Sequence, residues 1–206
     1  MLQPATYYHI YNHANGDDNV FKERKNYPFF LNKYHQHIDP IAETKVWCLM
    51  PNHFHLLVRI KDISQLRLDF PKFQTLENLT NEEKEKQLSL LLSKQFSNFF
   101  SSYTQSFNKV YGRRGSLFIK NFKRKEITSE RYLQTIILYI HLNAVKHGFC
   151  KTVEEWEWTS YPDFWQEQNQ LAINIFQTPT QYETIHKEKQ ILFDNYLNVE
   201  DYLLNT

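Results

Sequence analysis

Hydrophobic and polar positions along the chain fall into segments of two kinds, some alternating and some at helical spacing. Tyr7 to Tyr11 is aromatic and branched enough for a strand, and Asn15-Gly16-Asp17-Asp18 ends it in a turn. Tyr27 to Ile38 carries Phe30, Leu31, Tyr34 and Ile38 at helical spacing, and Asp39-Pro40 stops it. Lys45 to Met50 and His53 to Ile60 read as the two arms of a hairpin turning at Pro51-Asn52. Leu91, Phe96, Phe99, Phe100, Tyr103 and Phe107 lie on or near one stripe of a long amphipathic helix that ends before Gly112. Ser116 to Thr128 fits an extended element better than another helix. Ser129 then reads as an N-cap, with Tyr132 where a full capping box would have Glu or Gln. The helix it opens buries Leu133, Ile136, Ile137, Ile140 and Ala144 and terminates at Gly148.

The order is therefore strand, helix, strand, strand, helix, strand, helix. It predicts an α+β fold of ferredoxin-like or RRM-like type, an antiparallel sheet with helices packed on one face. The expected core domain spans residues 1–165, with an inserted lobe at about 66–90, where Asp69-Phe70-Pro71-Lys72 and the charged Asn81 to Gln87 interrupt the apolar pattern. Trp156, Trp158, Tyr161, Phe164 and Trp165 are expected to pack back on the core, and residues 166–206 to form a helical C-terminal extension outside the site.

Composition narrows the function. The formal net charge of +1 argues against a uniformly basic nucleic-acid coat, so a polyanionic partner needs a local patch. Cys48 and Cys150 stand far apart in no CxxC arrangement, which fits a reducing cytoplasm. No apolar run approaches the length of a bilayer span, so a soluble protein with no membrane partner is expected. Four glycines assemble neither GxGxxG nor GxxxxGK[ST], and HExxH and GxSxG are absent.

Two groups of residues carry candidate chemistry. His53 and His55 are two apart on a strand, so both imidazoles leave one face while Phe54, Leu56, Val58 and Ile60 leave the other. Such a pair either chelates one divalent ion or is buried against other polar partners, and spacing alone leaves both open. His35 and His37 share the HxH pattern, but on a helix two residues turn through about 200°, so these two point apart. Tyr139 and Asn143, four apart, share a polar helix side with Tyr132, Thr135 and Lys146. By residue type alone they read as an ordinary helix tyrosine and asparagine. Arg113, Arg114, Lys120, Lys123, Arg124 and Lys125 form a run free of Asp and Glu, bracketed by Tyr111, Phe118 and Phe122. Cations beside aromatics combine phosphate neutralisation with base stacking, as binding of single strands requires.

Taken together the motifs resemble the HUH single-tyrosine transposases, and among them the REP-associated tyrosine transposase branch. The resemblance rests on Tyr8-His9-Ile10-Tyr11-Asn12, on Cys48 to Val58 around Pro51-Asn52-His53-Phe54-His55, on Tyr111-Gly112-Arg113-Arg114-Gly115-Ser116-Leu117-Phe118, on Tyr139 to Gly148, and on Trp156-Glu157-Trp158-Thr159-Ser160-Tyr161. It implies that His53 and His55 bind the metal, that Asn143 completes the site, and that Tyr139 attacks DNA. The family commonly has proline after that asparagine, and this chain has Ala144, so a slightly different helix end is expected.

The activity so implied is metal-dependent nicking and strand transfer on single-stranded or hairpin DNA through a 5′-phosphotyrosine, a transposase reaction. Mg²⁺ or Mn²⁺ suits two imidazoles and an amide oxygen. Homodimerisation, common among related transposases, is a further expectation. The rival reading is a non-catalytic module that binds single-stranded DNA or RNA, since a ferredoxin-like sheet with surface aromatics also describes RNA-recognition domains, although the RNP strand pattern is absent.

Overall fold

A computed structural model describes residues 1–67, 80–165 and 169–195. The elements run β1 (Tyr7–His13), α1 (Asn26–Ile38), β2 (Ala42–Met50), β3 (His53–Ile60), α2 (Asn81–Tyr111), β4 (Lys123–Glu126), α3 (Glu130–His141), α4 (Asn143–Lys146), α5 (Tyr161–Phe164), α6 (Gln170–Phe176) and α7 (Pro179–Asn195). The strands form one antiparallel sheet in the order β2-β3-β1-β4. This is the expected α+β class, with the β2–β3 hairpin turning at Pro51-Asn52.

Three boundaries differ from the sequence expectation, each for a local reason. Helix α2 begins at Asn81, inside the stretch assigned to an inserted lobe, because Thr80 and Glu83 close a capping box there. Its first turns are charged because they are solvent-exposed, not because the helix has not begun. Of that stretch, residues 68–79 lie outside the described residues. The strand expected over Ser116 to Thr128 shrinks to Lys123–Glu126 plus one bridge, Ala14 to Phe118. Asn121 (φ 63°), inside that run, takes a left-handed conformation that breaks it. Ser129 caps α3 by accepting the Tyr132 N–H, but the helix breaks at Leu142 (φ −83°, ψ 0°) and resumes as α4.

Strand alternation divides the sheet into two faces, and both are covered. On one, Ile10, Phe54, Leu56 and Val58 meet α1 and α2. Phe30 anchors this layer with ring centres 5.3 Å from Phe54, 4.9 Å from Phe99 and 5.1 Å from Tyr103. On the other, Val46, Cys48, Met50 and Leu57 receive Ile136, Ile137 and Ile140 of α3. The helical layer expected on one face thus has a counterpart on the histidine face, because the strand neighbours of the histidines there are apolar and accept the isoleucine stripe.

The segment after α4 closes this second layer. The Trp156 indole donates to the Leu49 carbonyl at 3.0 Å, and the Ser160 hydroxyl accepts the Trp47 N–H at 2.9 Å. Phe176 and Tyr182 of α6 and α7 are buried in the same cluster. Among the described residues no helix is long and apolar enough to cross a membrane.

Candidate active site

The site lies between β1, β3 and the α3–α4 junction. Register fixes its floor: His13 pairs with His53 and Tyr11 with His55, so His9, Tyr11, His13, His53 and His55 all leave the face that α3 crosses. His53 and His55 are almost wholly buried, at 2% and 3% exposure. Burial, followed by the neighbouring His9, His53, His13 and His147, pushes the His55 pKa well below the usual imidazole value. A neutral imidazole is the form that can offer a lone pair to a metal.

Side-chain partners define which nitrogens are bare. His53 Nδ1 lies 2.7 Å from Asn52 Oδ1 and Nε2 lies 3.2 Å from Asn143 Oδ1; both oxygens only accept, and a neutral ring has one hydrogen, so with that hydrogen on the more closely held Nδ1 the Nε2 presents a lone pair. That Nε2 faces Asn143 Oδ1 at 3.2 Å, one lone pair toward another. The Asn143 Nδ2, fully buried, has no hydrogen-bond partner among the described residues. Two acceptors converging while the amide donor is orphaned is costly for the protein alone. The arrangement fits a cation between them, since adjacent ligands of an octahedral Mg²⁺ stand about 3 Å apart at its usual bond lengths.

His55 is held from behind. Its Nδ1 lies 2.9 Å from His9 Nε2, so a bare His55 Nε2 requires the Nδ1–H to donate to His9. Burial lowers the His9 pKa to about 3, with Lys125 adding to the effect, which keeps His9 a neutral acceptor. A histidine ligand whose second nitrogen is tied to a partner has its tautomer and ring orientation fixed. Among the described residues no three His, Cys, Asp or Glu side chains form a metal cage. An ion held by two imidazoles and one amide would keep open positions, as catalytic rather than closed structural sites do.

Tyr139 stands edge-on to this pair, its ring centre 5.3 Å from that of His55 and 5.8 Å from that of His9. Lys146, two turns further along the α3–α4 unit, places its ammonium 5.3 Å from the Tyr139 ring centre. His13 stacks on His53 at 4.4 Å, and His147 meets it edge-on at 4.8 Å. Where the sequence pattern suggested proline, the N–H of Ala144 faces the buried Cys48 thiol, whose pKa burial pushes up to about 12.

The structure brings His53, His55, Tyr139 and Asn143 together and disperses the basic run. Arg113 is committed internally: it pairs with Asp18 at 2.6 Å and donates to Asn108, Gly115 and Ser116. Pairing of Tyr11 with Lys123, Ile10 with Arg124 and His9 with Lys125 sends Lys123 and Lys125 to the histidine face and Arg124 to the α2 face. Lys125 then lies over the Tyr132 ring at 5.3 Å. Arg114 and Lys120 are exposed in the connecting segment. Of the other HxH pair, His35 faces Asp39 at 3.1 Å at the surface while His37 leans toward Phe99.

Sequence reasoning placed Lys146 on the side of Tyr139 and Asn143 but missed His9, His13 and His147 as members of the site. His9 and His13 share parity along β1, but only the register with β3 shows that this parity is the site's. His147 lies beyond the break at Leu142, outside the helical spacing that had already put Lys146 on the Tyr139 side.

No family model matches the chain. It is 24% identical over 186 residues to a Haemophilus influenzae protein named "Putative REP-associated tyrosine transposase", spanning 84% of this chain and 88% of that one. Its fold is similar, with a TM-score of 0.49 and 16% identity over 79% of each chain, to a solved structure described as a REP-associated tyrosine transposase bound to a REP hairpin. The family so named is the one that the sequence motifs resemble.

Proposed function

We infer from its motifs, and from a relative matched over most of both chains, that this chain belongs to the REP-associated tyrosine transposases, and we propose that it nicks and rejoins single-stranded or hairpin DNA. The observation that carries the proposal is the convergence of His53 Nε2 and Asn143 Oδ1 at 3.2 Å beside a tyrosine edge-on to His55.

His53, His55 and Asn143 would hold a divalent ion, Mg²⁺ or Mn²⁺, with His9 orienting His55. When bound, such an ion polarises the scissile phosphate and offsets charge developing on it. The Tyr139 oxygen attacks phosphorus, forming a phenol–phosphate ester to the 5′ side and breaking the bond to the 3′ oxygen, which leaves as a hydroxyl after taking up a proton. The phenol loses one proton and the leaving oxygen gains one, so the step is balanced and conserves the ester bond. Attack by a different 3′-hydroxyl reverses it and transfers the strand, with no nucleotide cofactor. Lys146 beside the tyrosine ring favours the phenolate electrostatically, and Lys123 and Lys125 on the same face offer counter-charge to neighbouring phosphates.

The test is incubation of end-labelled hairpin oligonucleotides, bearing unpaired flanks, with the protein and Mg²⁺ or Mn²⁺, followed by a denaturing gel. Metal-dependent shortening of the labelled strand that EDTA prevents is expected. Tight binding with no cutting in either metal would replace the enzyme reading with that of a single-strand-binding module.

A further inference from the structure

We propose that the face of the sheet edge turned away from the histidines is a second nucleic-acid groove, which holds the unpaired flank of the substrate as it rounds strand β4. This deepens the proposed reading and rests on it. The first observation is one of charge. Between Glu85 and Glu126 the sequence has no Asp or Glu, yet Lys or Arg stands at nine positions: 86, 94, 109, 113, 114, 120, 123, 124 and 125. In a chain with 23 acidic residues among 206, such a gap leaves this stretch with no carboxylates of its own, Asp18 reaching it at Arg113.

The second observation is shape. The carboxylate-free stretch folds back on itself, α2 running one way and residues 113–125 returning, and a cavity of about 840 Å³ opens between them. One wall is a row of small polar side chains on α2, with Ser97, Ser101 and Gln105 exposed at four-residue spacing. The other carries Lys120 and Arg124. Arg124 lies over the Phe122 ring at 5.1 Å, a flat, charged platform of the kind on which bases stack. Among the described residues no carboxylate lines the cavity. Hydroxyls and amides facing cations across a cleft suit a sugar–phosphate chain, and the volume is that of a small-ligand pocket, enough for a few unpaired nucleotides.

The third observation connects groove and site. Asn12 lines the cavity, and its neighbour in sequence, His13, stacks on His53 across the sheet. β4 is an edge strand of four residues, with Lys123 and Lys125 on the histidine side and Arg124 on the groove side. A strand leaving the site therefore meets cations continuously around that edge.

The experiment measures fluorescence anisotropy in EDTA, which prevents cutting, with one labelled hairpin carrying an unpaired flank and the same hairpin without it. Ser97→Glu/Ser101→Glu, at two exposed helix positions, is expected to weaken the flanked hairpin tenfold or more and the flankless one less than twofold. Ser97→Lys/Ser101→Lys is expected to tighten the flanked hairpin. Equal affinity of the wild type for both hairpins would overturn the groove, as would an acidic pair that leaves the flanked hairpin unchanged or weakens both alike. A wild type that binds neither hairpin would instead remove the DNA reading itself, and the groove with it.

Discussion

Replacing Asn143 by leucine separates a ligand from a structural residue, because the two roles predict opposite signs. The Asn143 side chain is fully buried, its Nδ2 has no partner among the described residues, and its Oδ1 faces His53 Nε2 at 3.2 Å. An unsatisfied buried donor costs about 1–3 kcal/mol, and the amide's one polar contact returns at most about 1. Leucine, of nearly the same shape, removes both. Without metal, Asn143→Leu is therefore expected to be as stable as the wild type or more stable, by up to about 2 kcal/mol. For a chain of this length that is a rise in Tm of roughly 0–8 °C. With metal the order reverses: at a hundredfold excess over Kd a ligand adds about 2.7 kcal/mol to the wild type, roughly 5–10 °C, and much less to the variant. Thermal unfolding in EDTA and in saturating Mn²⁺ measures all four values. A variant less stable than wild type by more than about 2 kcal/mol in EDTA, or a wild type unmoved by Mn²⁺, would refute the reasoning.

Two other perturbations follow from the contacts. Arg113→Ala breaks the Asp18 pair and the bonds to Asn108, Gly115 and Ser116, so it is expected to cost about 1–3 kcal/mol in urea unfolding. Arg114→Ala, at an exposed position, is expected to leave stability unchanged and weaken DNA binding; an equal loss of stability in both would contradict this division. Stability should also depend on pH through His186, which burial holds at a pKa of about 4 between His141 and the Tyr182 carbonyl. Above pH 6.5 both folded and unfolded forms are neutral there; as pH falls from 6.5 toward 4 only the unfolded chain takes up the proton. The contribution, about 3 kcal/mol, is present above pH 6.5 and lost on the way to pH 4. His186→Gln should flatten that part of the stability profile, and an unchanged slope would be contrary evidence.

The legible parts of this molecule are those set by local periodicity. The order of strands and helices, the hairpin at Pro51-Asn52, the Ser129 cap and the shared face of His53 and His55 follow from spacing and turn chemistry. The start of α2 was obscured because a helix with a charged first turn carries its signal in a cap, Thr80 with Glu83, rather than in apolar spacing. The rest depends on pairing between distant segments. Asp18 meets Arg113 across 95 positions, and nothing local announces it. The basic run looks like one patch in sequence, but the alternation of β4 and its register with β1 divide it between two faces. Likewise α7 looked like an appendage, yet its Tyr182 and His186 close a buried network on His141, between Tyr139 and Asn143 on the α3–α4 unit.

The central claim is that Tyr139 carries the DNA. The most direct test is to incubate the protein with flanked hairpin DNA and Mn²⁺, digest it with protease and nuclease, and locate the added nucleotide mass by tandem mass spectrometry. The account predicts phosphate-linked nucleotide on the peptide containing Tyr139, dependent on metal, and absent in Tyr139→Phe although that variant still binds the DNA. An adduct on another residue, or one that survives Tyr139→Phe, would contradict it.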